Sequence, residues 1–207
     1  DNSTLIACQQ TKNPSKEAAI LIANGKVVAW FQDRSEMGPR SLGNRSLLAD
    51  PRLHAMADFL NLKVKNRESF RPYAPSILNE YIHEWFDLSL NSPFMSFVGK
   101  VLPDKRRLIP AVAHIDGTAR LQSVYRDQNP LFYSLIDYFR EITEVPLLLN
   151  TSFNLAGDPI VETPEDAIKC FLKSNIDCLF LHDKLITKVN SHSEGNYIRW
   201  SNKSLTE

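Results

Sequence analysis

Hydrophobic and polar positions alternate along this chain in two rhythms, one of helices and one of strands. The segment "SKEAAILIANGK" predicts a helix, with Ser15 as its N-cap and Asn24-Gly25 as a left-handed stop. "KVVAWFQ" (26–32), rich in β-branched and aromatic residues, predicts a strand. A polar, arginine-bearing loop follows. Helices are then expected at 53–62 ("LHAMADFLNL") and 80–88 ("EYIHEWFDL"), and strands at 92–101 and 119–125. In "NPLFYSLIDYFREIT", Asn129 caps, Pro130 opens, and Leu131, Leu135, Ile136 and Phe139 recur at helical spacing. "VPLLLN" (145–150) is greasy on both faces, as a buried strand must be. In "TPEDAIKCFLKSN", Thr163, Pro164 and Asp166 make a capping-box start. Residues 177–183 and 184–188 predict a closing hairpin. Strands and helices therefore intermix, which points to an α/β or α+β sheet with helices packed on it.

Composition narrows the class. The chain has 207 residues, 43% of them hydrophobic and 23% charged, so one large globular domain is expected. It spans 1–189, with a polar tail at 190–207. Three cysteines without paired spacing predict reduced thiols and a cytoplasmic setting. There is no long apolar run and no metal-ligand pattern, so neither membrane nor protein-held metal is expected. The first residue is not methionine, which suggests a piece of something longer.

Charge changes the picture locally. Lysine plus arginine balances aspartate plus glutamate at 24 each. From 34 to 71, however, eight basic residues face four acidic ones, leaving that segment at net +4. A cationic site on a neutral body suits a small anion better than a long nucleic acid.

Four stretches carry the chemistry. "EMGPRSLGNRSLLADPR" sets Arg40 and Arg45 around Gly43, where guanidinium forks and close backbone can hold phosphate or carboxylate. "NLKVKNRESFRPYAP" places Lys63, Lys65, Arg67, Ser69 and Arg71 at every second position, so that an extended chain would point all five one way. "HIDGTARLQ" puts Arg120 near a strand start, with His114 read as structural. "LLLNTSFNLAGDPIVETPED" delivers Asn150, Ser152 and Asn154 past the end of a buried strand, where α/β sheets place ligands. Ser152 lacks a nucleophile elbow, and no Walker or Rossmann glycine pattern occurs.

Taken in order, "MGPRSLGNRSLLADPR", "VKNRESFRPYAP", "SPFM", "HIDGTARLQ" and "LLNTSFNLAGDPIVETPEDAI" resemble the C-terminal domain of the O-carbamoyltransferases of antibiotic and nodulation-factor biosynthesis. The likeness runs over roughly 17–183. Asp33 stands where that family has glycine, and Ser41 where alanine is usual. The resemblance implies a YrdC-like fold built on a twisted mixed sheet. It implies an enzyme that activates carbamoyl phosphate with ATP, puts the carbamoyl group on AMP and releases pyrophosphate. Mg²⁺ would accompany the ATP. A Kae1-like N-terminal domain with an iron site, absent from this chain, would pass the group to an acceptor hydroxyl. Lys65-Asn66-Arg67 and Ser152-Phe153-Asn154 match the Lys-x-Arg and Ser-x-Asn signature. By that resemblance Lys65, Arg71 and Arg120 clamp carbamoyl phosphate and the adenylate, with Arg67 in the same signature. Ser152, Asn154 and Asn150 bind carbamoyl or phosphate oxygens, and Arg40 and Arg45 face the nucleotide. Competing readings are threonylcarbamoyl-adenylate synthesis, an RNA-binding module of the same type, and a catalytically silent anion-binding domain.

Overall fold

A computed structural model describes residues 5–68 and 70–189. The expected polar tail from 190 lies outside the described residues. In chain order the elements are β1 (Leu5–Gln10), α1 (Pro14–Ala23), β2 (Val28–Phe31) and β3 (Arg45–Ala49). Then come α2 (Met56–Phe59), which runs into a π turn at Leu60–Val64, β4 (Ala74–Leu78), α3 (Ile82–Trp85) and β5 (Phe86–Asp87). The remainder is β6 (Val98–Val101), β7 (Thr118–Arg120), β8 (Gln122–Val124), α4 (Pro130–Thr143), β9 (Leu147–Ser152), α5 (Pro164–Leu172), β10 (Cys178–Leu181) and β11 (Lys184–Val189).

Eight strands form one mixed sheet in the order β1-β11-β10-β2-β3-β9-β4-β8, and β5-β6-β7 form a small second sheet. Within the large sheet β10 and β2 are parallel, as are β4 and β8, and the other neighbours are antiparallel. Every residue of β2, β3 and β4 is buried, so both faces of the sheet centre are covered. Helices α1 and α4 pack on each other, α4 also lies on β4 and β9, and α5 lies on β10 and β2. The core between these layers holds Trp30, Phe132, Phe139, Phe153, Phe171 and Phe180.

The helix starts follow side-chain chemistry. Asn129 caps α4 by accepting from Phe132 N, and Thr163 with Asp166 closes the capping box of α5. Such a cap is worth about 1 kcal/mol. Ser15, expected to cap α1, does not. Asn13 does so, accepting from Lys16 N, because Pro14 takes the first helical position. The buried Ser15 hydroxyl instead donates to Leu131 O at 2.8 Å, tying α1 to the start of α4. Gly25 holds the expected left-handed stop at φ +78°.

Other expectations shift. β1 was not foreseen: Ile6–Gln10 are exposed on this edge strand, so no apolar pattern announces it. β3 lies inside the expected arginine loop. The helix expected from 53 starts at Met56, and the one at 80–88 gives a 3₁₀ turn (Asn79–Tyr81), α3 and then β5. The strand expected at 92–101 is formed only from Val98. The segment at 119–125 is two strands. β7 pairs with β6 in the small sheet and β8 pairs with β4 in the large one, with Leu121 between them.

Candidate functional site

One end of the large sheet gathers the polar residues. There β9 finishes at Ser152, β3 begins at Arg45, β4 begins at Ala74, and β7 hands over to β8 past Arg120. The register pairs Ser46 with Ser152 and Ala74 with Asn150.

Lys65 is the centre. The π turn of Leu60–Val64 closes through Lys65 N to Leu60 O at 2.7 Å, and delivers a side chain that is only 4% exposed. Its Nζ donates to Ser152 O, to Asn154 O at 2.9 Å and to Asn154 Oδ1 at 2.7 Å, with Ser152 Oγ at 3.3 Å. Ser152 Oγ in turn donates to Asn154 Oδ1 at 2.7 Å, and Asn154 Nδ2 to Asp158 O at 2.7 Å. Burial first, and the neighbouring Arg67 second, bring the Lys65 ammonium down to about 7. The Lys-x-Arg and Ser-x-Asn stretches thus meet in space, 87 residues apart in sequence.

Asn150 sits deeper, at 2% exposure. Its Nδ2 donates to Ser41 O at 3.0 Å, Ser76 Oγ at 2.9 Å and Gln122 Oε1 at 3.2 Å. Its Oδ1 is buried without a partner among the described residues. Gln122 Nε2 reaches Leu42 O at 2.8 Å, so the arginine loop is stitched to the sheet below it. Gln122 also lines a cleft of about 130 Å³ with Leu42, Asn44, Phe94 and Tyr125. Ser76 and Gln122 escaped the sequence reading. For Ser76 the signal was a polar residue in the otherwise apolar strand Ala74–Leu78.

The cations sort into two kinds. Arg45 is 4% exposed and stacks on Phe31 at 3.5 Å. Its two terminal nitrogens donate to the carbonyls of Gln32 (2.5 Å), Asn44 (3.1 Å) and Asp33 (3.0 Å). It pins the loop and offers a ligand little. Arg52 likewise pairs with the buried Asp50 at 2.6 Å. Arg71 pairs with Glu68 at 3.0 Å and is more than half exposed, which does not bring it to Lys65. The same-face array expected from Lys63 to Arg71 is not formed. The π turn buries Lys65 while Lys63 and Arg71 stay in solvent.

Arg40, Arg67 and Arg120 are the other kind. Among the described residues no carboxylate pairs with them or with Lys65. The Arg120 guanidinium is pulled below its ordinary value by burial and then by Arg40, and its Nε is buried without a partner. Arg67 stacks on Tyr73 at 4.7 Å. His114, half-buried, lies 3.4 Å from Thr118 Oγ1 through Nδ1, and burial lowers its pKa. Lys65 feels the charge of Arg67, and Arg120 that of Arg40, so these cations act on one another electrostatically at this end of the sheet.

Two features hold the loop that carries Arg40. Glu36 Oε1 accepts from Leu42 N (2.8 Å) and Asn44 N (2.6 Å). Gly43 stands at φ +112°, where a Cβ would lie 2.2 Å from the Phe132 ring. Asp33 stands at φ +42°, which explains why glycine is the residue expected there.

A mixed eight-stranded sheet with helices packed on it has the fold of a YrdC-like α/β domain. The solved full-length HypF in its phosphate- and nucleotide-bound form superposes with a TM-score of 0.56 at 16% identity, over 82% of this chain and 25% of that one. Sua5 of P. abyssi (an H234A/Y235A variant) does so at 0.56 and 16%, over 80% and 47%. The chain belongs to the carbamoyltransferase C-terminal family, whose model, described as "Carbamoyltransferase C-terminus", matches residues 19–188. Nodulation protein NolNO of Sinorhizobium fredii is 45% identical over 97% of this chain and 29% of its own length. The 3'-hydroxymethylcephem-O-carbamoyltransferase of Streptomyces clavuligerus is 39% identical over 72% and 28%. The chain spans about a third of the length of the curated relatives it matches. Among the described residues no helix is long and apolar enough to cross a membrane.

Proposed function

We propose that this chain is the carbamoyl-activating part of an O-carbamoyltransferase. Carbamoyl phosphate is cleaved by water to carbamate and phosphate. A carbamate oxygen then attacks the α-phosphorus of ATP, the bond to the β-phosphate bridge breaks, and carbamoyl-adenylate and pyrophosphate result. Both reactants are anions, so the barrier is repulsion and misalignment, which fixed cations and aligned donors reduce. No covalent intermediate on the protein is needed.

The observation that carries this reading is the buried Lys65 among Ser152 and Asn154, with Arg67, Arg120 and Arg40 contributing positive charge and no carboxylate paired with any of the four among the described residues. Lys65 is buried, Arg67 and Arg120 are half-buried and Arg40 is exposed, and burying charge is costly unless an anion completes it. Lys65 with Ser152 and Asn154 suits the carbamate or α-phosphate, and Arg120 with Arg40 suits the outer phosphates. Mg²⁺ enters with the triphosphate. No three metal-binding side chains are grouped among the described residues, so protein ligands for it form no part of the reading. Transfer to an acceptor hydroxyl falls to a partner domain of the Kae1-like type, in cis or in trans, which carries any iron. Met37, Phe70 and Ile115, almost fully in solvent on loops that also bear Arg40, Arg71 and His114, offer that partner an apolar rim. The setting is cytoplasmic, consistent with three free thiols.

The test incubates the chain with ATP, Mg²⁺ and carbamoyl phosphate, and measures pyrophosphate and carbamoylated AMP. Lys65→Ala and Arg120→Ala are each expected to lower the rate by about 10²-fold, the effect of losing one transition-state donor. Unchanged rates in both would overturn the site. Threonylcarbamoyl-adenylate synthesis, the competing enzyme reading, supplies the control. Threonine with bicarbonate in place of carbamoyl phosphate is expected to release no pyrophosphate.

A further inference from the structure

We infer that Asn61 is a positioning residue for the anion site, acting through Arg67. The inference rests on the activation reading above but can fail separately from it. Asn61 lies in the π turn that also presents Lys65, and it is fully buried. Its carboxamide is bonded on both sides. Oδ1 accepts from Arg67 Nε at 2.7 Å and from Tyr73 Oη at 2.7 Å, while Nδ2 donates to Arg71 O at 3.0 Å. Its own carbonyl accepts from Arg67 N at 2.9 Å. One side chain thus fixes three points of the segment from Arg67 to Tyr73.

The consequence follows from how a guanidinium is built. Nε points along the stem, and the two terminal nitrogens form the fork that meets phosphate or carboxylate. Asn61 takes Nε, and the Tyr73 ring supports the face of the group at 4.7 Å. The plane of the guanidinium is thereby fixed where its charge is felt by Lys65, and the terminal nitrogens that Tyr73 does not engage are left to a ligand. The Tyr73 hydroxyl, pushed up to about 12 chiefly by burial, remains a donor at all working pH values and keeps Oδ1 in place. Orientation fixed before binding lowers the ordering cost of capture.

The test is a double-mutant cycle between Asn61 and Arg67. Calorimetry with inorganic pyrophosphate reads anion capture without requiring turnover. Asn61→Leu is expected to weaken binding about tenfold, and Arg67→Ala by a similar factor. The double variant is expected to bind as weakly as Arg67→Ala alone. Under turnover, Asn61→Leu is expected to raise KM for carbamoyl phosphate while kcat changes less than twofold. A merely structural asparagine would lower the melting temperature and yet multiply with Arg67→Ala in the double variant. That result, or wild-type binding by Asn61→Leu, or no binding by the unaltered chain, overturns the inference. Should Asn61→Leu fail to fold, Asn61→Asp keeps the acceptor and neutralises Arg67. It is expected to weaken pyrophosphate binding at least fivefold, with no further loss in the Arg67→Ala background, and an additive loss overturns the inference. Pyrophosphate capture that depends on Asn61, without pyrophosphate release from ATP, would sink the activation reading and leave Asn61 standing.

Discussion

Lys65 couples the site to pH. The unfolded chain holds a proton at Lys65 up to the ordinary 10.5, the folded one only to about 7. Stability of the unliganded fold therefore rises with pH between those values and is penalised below them. Anion binding favours the charged ammonium, so it works in the opposite direction. Sulfate, which does not titrate in this range, is expected to bind best below pH 7 and to weaken by up to about tenfold per unit above it. Calorimetry in two buffers of different ionisation enthalpy is expected to show nearly one proton taken up per sulfate at pH 8. Lys65→Arg, always charged, is expected to abolish that uptake. A sulfate affinity flat from pH 6 to 9 would count against Lys65 as the ligand. At this scale the sequence showed the Lys-x-Arg and Ser-x-Asn stretches and the end of the strand that bears Ser152. It did not show that Arg45 serves carbonyl oxygens or that Arg71 pairs with Glu68, because an arginine's partner is a matter of tertiary approach. Asn61 was hidden for the same reason. Inside "DFLNL" it reads as one polar break in a helix.

The element that matters most is the arginine loop between β2 and β3, and its seat is α4. Gly43 touches Phe132 with no room for a Cβ, whereas Gly38 at φ +102° has nothing within 4 Å. The two glycines separate strain from overpacking. Gly38→Ala is expected to cost about 1 kcal/mol, from left-handed strain alone. Gly43→Ala is expected to cost about 3 kcal/mol, because a ring in the core must also move. Urea titrations with unchanged slope would measure both. Gly43→Ala is further expected to weaken anion capture through Arg40, and equal costs at the two positions would refute the seating on Phe132. The helices α4 and α5 were legible because caps and apolar spacing agreed with their tertiary packing. β3 was not. Arg45 at its start and the polar loop before it outweighed the short apolar run Leu47–Ala49, and the strand exists because β2 and β9 pair with it on either side. The break at Leu121 is likewise invisible in an alternating pattern, since the two halves of that segment serve different sheets.

For the whole molecule, zero net charge conceals a +4 segment at 34–71, part of which brings Arg40, Lys65 and Arg67 to one end of the sheet, and the rest carries the balancing −4. Two kinds of ligand could answer such a field, and salt separates them. A protein that grips a duplex through about six to ten phosphates loses about 10³–10⁵ in affinity between about 50 and 200 mM salt by counterion release. A small anion meets few cations here, and Lys65 is sheltered from screening by burial. Pyrophosphate affinity is therefore expected to fall by less than about tenfold over the same range, and the unaltered chain to retain no duplex RNA at about 200 mM salt. Calorimetry for pyrophosphate and gel retardation for RNA would read the two side by side. The neutral body favours the first outcome. Counter-charge outside the 34–71 segment repels an extended polyanion, while a ligand the size of a triphosphate interacts only with the site. A steep salt slope for pyrophosphate, or RNA retained at about 200 mM, would move the ligand from pocket to surface and remove the case for activation chemistry at Lys65.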